Sequence, residues 1–273
     1  MPTPEPASNV RRPSRLWLPA LVLLGVVAEL LMVLAFRPAR TSDIVKLELA
    51  ASAADFAATL QRDWTQDATA VPSGAEPPLC GQGLPHVDVS KQALPRQHWG
   101  QLRCNLLTDS VALVPAYVGV LVVLTLGLVR AGAARWQRWV WVAVALGAGA
   151  ADLLENGLTL WALDAWQQGA WRGALDPVLS DALVANVRGA SQAKWLLLAM
   201  ALAVLGHLAW HSQVAQRAVM CKSAAALCVL GALALPLGAW LWRPGIAIGM
   251  VAMVLAMGLL AWRQWWLPPG DLA

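Results

Sequence analysis

Within a long apolar run, Asp152-Leu-Leu-Glu155-Asn156 places two carboxylates and an amide at i, i+3 and i+4, a spacing that projects all three from one helix face. A protonated acid beside an ionised one can act as general acid and base, relay a proton, or hold a cationic or hydroxylated ligand. Asp152 and Glu155 are therefore the catalytic candidates, as an acid/base pair. Ionisable groups at membrane depth normally face a protein interior or a wet cavity, which makes them functional candidates by default. Just before them, Gly147, Gly149, Ala150 and Ala151 are small enough to let another helix approach.

Other runs supply binding candidates. Glu29, Tyr117 and Asn156 are expected at a similar depth, with Asp109 and Lys194 at the outer ends of their spans. Lys194 is the natural counter-ion, yet its backbone is expected a turn or two above Glu155. That offset favours a wet pocket bridged by water or by a long reach of the side chain over a dry salt bridge. Three carboxylates in low dielectric cannot all be charged beside one cation. The competing reading is a network that only fixes helix register, and contacts of about 1 kcal/mol each in membranes are a weak reason to keep several acids.

The common signatures of hydrolases, zinc proteases and nucleotide binders (Gly-x-Ser-x-Gly, His-Glu-x-x-His, a phosphate loop) do not occur, so the sequence leaves both enzymatic activity and any cofactor unknown. His207 and His211 stand at i, i+4 without a third ligand, His86 and His98 lack ligand spacing, and the four Cys form no C-x-x-C pair, so no metal site is expected.

The elements that must position these groups are membrane spans. Of 273 residues, 58% are hydrophobic and 13% charged, against roughly a quarter charged in soluble proteins. The predicted fold is all-α with six transmembrane helices: 16–36, 111–130, 139–163, 193–211, 223–241 and 245–262. The first four form a polar core and the last two a hairpin bearing Pro236 and Gly245-x-x-x-Gly249. Basic residues mark one side: Arg11, Arg12 and Arg15, then Arg130, Arg135 and Arg138, then Arg217 and Lys222, then Arg263. By the positive-inside rule the tails 1–15 and 263–273 are cytoplasmic, in a bacterial inner membrane. Sixteen Trp against one Tyr and two Phe fit interfacial belts on both sides.

Residues 37–110 then form a periplasmic cap and loop, and 164–192 a periplasmic connection with a short interfacial helix near 177–187. Val45, Leu49, Phe56, Leu60 and Trp64 recur at helical spacing, with Lys46, Glu48, Asp55 and Asp63 outside the stripe, so 43–64 reads as an amphipathic helix. Residues 65–100 are Pro- and Gly-rich and read as an irregular loop. Cys80 and Cys104 bracket much of it, and an oxidising periplasm would join them in a disulfide.

In the order of Asp109, Tyr117, Asp152, Glu155, Asn156 and Lys194, the stretch 16–211 resembles a group of uncharacterised bacterial multi-pass membrane proteins with an intramembrane Asp-x-x-Glu-Asn motif. That resemblance brings no activity with it. From the residues, the first expectation is a periplasm-facing carboxylate/Tyr/Lys site that binds or processes a lipid-like or small amphiphilic molecule. The second is a non-enzymatic accessory or assembly subunit, meeting a protein partner through the cap or the terminal hairpin. A proton-coupled or cation carrier ranks third, because no internal repeat is found. Membrane lipid is the expected partner, and nucleic acid is not.

Overall fold

In the computed structural model, the described residues are 14–30, 41–67, 96–129, 135–171, 179–211 and 218–266. Every regular element among them is helical: α1 (Ser14–Leu30), α2 (Thr41–Glu48), α3 (Ala53–Asp67), α4 (Arg96–Thr108), a π-helical turn (Asp109–Leu113), α5 (Val114–Leu128), α6 (Arg135–Trp171), α7 (Asp181–Trp210), α8 (Ala218–Trp240) and α9 (Pro244–Trp266). Four stretches are long and apolar enough to cross a membrane, Leu102–Leu128, Asp181–Trp210, Val219–Trp240 and Pro244–Arg263, and Leu18–Val27 is a shorter apolar helix. At 37 residues, α6 is also long enough at about 55 Å. Its apolar character is diluted by Asp152, Glu155 and Asn156.

Several predicted boundaries move. The amphipathic segment is two helices, α2 and α3, joined by a turn at 49–52 in which the Ser52 hydroxyl accepts from Asp55 N–H. The span predicted at 139–163 runs on to Trp171, and the one predicted at 193–211 begins at Asp181, so the interfacial helix near 177–187 is the first part of α7. Ser180 explains that start: its hydroxyl caps the helix by accepting from Leu183 N–H at 3.2 Å. The predicted loop also gives way to α4 from Arg96. Most of that loop, with Cys80 and His86, lies outside the described residues.

Two apolar cores lie along the bundle. The larger joins Leu121 and Leu124 of α5, Ala145 and Ala148 of α6, Leu198 to Ala209 of α7 and the facing sides of α8 and α9. The smaller lies under the cap, where Leu47, Phe56 and Leu60 meet Leu163 and Trp166 of α6 and Val184 and Val187 of α7. The helices α6 and α7 pass through both, and between the cores each turns a set of polar side chains inward. Asp152, Glu155, Asn156 and Thr159 on α6 and Ser191 and Lys194 on α7 thus form a buried polar layer.

Small residues set the spacing. A Cβ on Gly149 of α6 would meet Val118 of α5 at 2.7 Å, so the glycine admits α5 beside the acids. In the hairpin, a Cβ on Gly245 would meet the Ala234 carbonyl at 2.8 Å and one on Gly249 the Leu235 side chain at 2.6 Å. Both glycines of the Gly245-x-x-x-Gly249 pair are used to seat α9 on α8. Pro236 lies inside α8 without ending it.

Candidate functional site

Lys194 is the centre of the polar layer. It stands thirteen residues into α7, about 20 Å from the helix start, and its side chain reaches Glu155 directly. Its ammonium donates to Asp152 Oδ1 at 3.1 Å, contacts the Glu155 carboxylate directly, and lies 3.7 Å from Glu48 Oε2. Three carboxylates thus surround a group with three N–H donors. The indole of Trp195 lies beneath it, 4.5 Å from ring centroid to Nζ, and is itself fixed by donation from Nε1 to Ser191 Oγ at 3.1 Å.

Behind this ring lie two further contacts. Tyr117 donates its hydroxyl to Asp152 Oδ2 at 2.7 Å, so Asp152 bridges Tyr117 and Lys194. Asn156 donates Nδ2 to Asp109 Oδ2 at 2.6 Å. Asp109 also follows thirteen helical residues, those of α4, rather than opening a span. It begins the π-helical turn, where Val114 N–H reaches back five residues to the Asp109 carbonyl. Pro115 follows immediately, and its ring would crowd the carbonyl of residue 111 in a regular α-helix, which gives a reason for the backbone to widen there.

The site is closed over, where a periplasm-open pocket was expected. Lys194 and Asp152 are each 5% exposed and Glu155 0%. The reason is Glu48, which sequence reading left on the solvated side of the amphipathic stripe. It is 4% exposed and faces Lys194, so α2 closes over the layer. The available signal was its setting: in Leu47-Glu48-Leu49-Ala50 it is a lone acid among apolar residues. Asn105, Thr159 and Ser191 are further buried polar residues that the motif search passed over.

Of the predicted site residues, Asp109, Tyr117, Asp152, Glu155, Asn156 and Lys194 come together. Glu29 is on α1, but its side chain lies outside the described residues. Cys104 is described and buried, whereas its predicted partner Cys80 lies outside the described residues. Cys221 and Cys228 are buried free thiols, in keeping with a packing role.

Hydrogen bonds tie the cap down as well. Asp181, in the first turn of α7, accepts from Ala53 N–H at 2.7 Å and so caps α3 from another helix. Arg103 of α4 forks onto both oxygens of Asp164 of α6 at 2.9 and 2.8 Å. Chemically, three acids (Glu48, Asp152, Glu155) share one lysine in a buried layer, with Asp109 beside them on Asn156. Such a centre takes up positive charge or hydrogen-bond donors, from protons, a cationic group or a hydroxylated head. Comparison with protein-family models, with curated proteins and with solved structures finds no match for the chain.

Proposed function

We propose that this chain is a bacterial inner-membrane protein of six spans, with both termini cytoplasmic, that binds or processes a lipid-like or small amphiphilic molecule at its buried acid–lysine centre. The observation that carries the reading is the convergence of Glu48, Asp152 and Glu155 on Lys194. A surplus of acids suits a headgroup that brings positive charge or hydroxyl donors, and Asp152 and Glu155 are placed to exchange protons with it. Tyr117 and the Asp109–Asn156 pair hold the acids in place.

In this reading α1 and α6 are the two spans beyond the four apolar ones, and α2 and α3 are the periplasmic cap. The centre opens when α2 lifts, because Glu48 is the only one of the three lysine-facing acids that is carried by the cap. Cys104 pairs with Cys80 in the oxidising compartment and closes the loop between α3 and α4. Native mass spectrometry of the purified full chain tests the proposal. The wild type is expected to retain an endogenous amphiphile that Glu155→Gln loses, and equal retention by both would contradict it.

A further inference from the structure

A groove lies at the opposite end of the α7–α8 pair from the cap. Gly206 lets the two helices meet closely, since a Cβ there would fall 2.9 Å from Cys228 Cβ. Beside that contact the groove of about 600 Å³ opens between the helices, lined by His207, Trp210, His211, Val229 and Leu233 among others. Its outer wall is exposed: Trp210 is 57%, Val229 53% and Leu233 62% accessible. Both helices are long and apolar enough to cross a membrane, and in the six-span reading proposed above this groove faces the hydrocarbon.

The mouth differs chemically from the rest. The rings of His207 and His211 pair with centroids 4.6 Å apart, and the Lys222 ammonium lies over the Trp210 ring at 5.8 Å. A cation, an indole and two imidazoles thus gather at one end. From Lys222 the apolar wall continues along α8 to Leu233, eleven residues or about 16 Å at the helical rise. That is the layout of an anionic head above a hydrocarbon chain, with Trp at headgroup level.

We propose that this groove is a binding site for an anionic phospholipid, its phosphate held at Lys222 and the imidazoles and one acyl chain laid against Val229 and Leu233. Charge complementarity selects the occupant: a zwitterionic lipid offers the same chain but less attraction to Lys222. The site is independent of the acid–lysine centre, since it uses none of its residues.

The test uses the full chain in nanodiscs of phosphatidylcholine doped with a phosphatidylglycerol probe bearing a diazirine on one acyl chain. Crosslinked peptides are then mapped by mass spectrometry. Labelling is expected on α8 between Ala225 and Leu233, falling about fivefold in Lys222→Gln, the effect of one basic side chain at an anionic surface. A phosphatidylcholine probe should label that stretch more weakly than the phosphatidylglycerol probe does. Equal labelling by the two probes, labelling unchanged in Lys222→Gln, or no labelling of this stretch of α8 in the wild type would each overturn the proposal. Val229→Trp, which fills the groove, should remove the labelling while leaving the Lys222 mouth intact, and persistence of the label in that variant would also count against it.

Discussion

Lys194 meets three carboxylates with one ammonium, and its removal would leave Asp152, Glu155 and Glu48 facing one another in a buried layer. Breaking a buried ion pair from one side typically costs about 3–5 kcal/mol. Lys194→Met should therefore lower thermal stability in mild detergent strongly, and a loss of less than about 1 kcal/mol would show the acids to be solvated. Tyr117→Phe removes a single hydrogen bond to Asp152 and should cost only about 1 kcal/mol, measured the same way. At this scale much of the site was legible. Asp152, Glu155 and Asn156 stood out because their shared face interrupts an apolar run, and Tyr117 because it sits inside a span. Glu48 was not legible, since helical periodicity alone assigns a charged residue beside an apolar stripe to water. Only the packing of α2 across α6 and α7 reverses that assignment.

Elements decide how far the centre is shut. Phe56 of α3 is fully buried in the smaller core, and Asp181 caps the same helix from α7. Phe56→Ala, at about 3–5 kcal/mol for a buried aromatic, should undock the cap ahead of the bundle. Hydrogen exchange should then accelerate across α2 and α3 while α8 and α9 stay protected, and uniform acceleration of all helices would contradict a separately docked cap. The helix starts ahead of Lys194 and Asp109 were placed too late from sequence for one reason. The hydropathy signal starts where residues become apolar, while the helices start earlier, at Asp181 and Arg96, through polar turns that periodicity does not flag. The opposite held for the hairpin, where Gly245-x-x-x-Gly249 announced a close approach that the structure places against Ala234 and Leu235 of α8.

Across the whole molecule, composition and run length pointed to an all-helical class with six spans, and the all-helical class and four helices apolar enough to cross a membrane are found among the described residues; this much could be read because hydrocarbon demands long uninterrupted helices. The division into two apolar cores with a polar layer between them could not, because it depends on the antiparallel register of α6 and α7. The proposed oxidised cap makes a prediction at this scale. Of the four cysteines, only Cys221 and Cys228 should be alkylated when the protein is denatured without reductant, and four modified thiols would exclude the Cys80–Cys104 bond. The central claim is that the acid–lysine centre serves a ligand rather than the bundle alone. The most direct measurement is an experimental structure of the full chain purified with its native lipids. Density for a small amphiphile touching Lys194 and Glu155, with α2 displaced and Glu48 withdrawn, is the predicted result. A closed layer in which Glu48, Asp152 and Glu155 contact only Lys194, unchanged in Glu155→Gln, would contradict it.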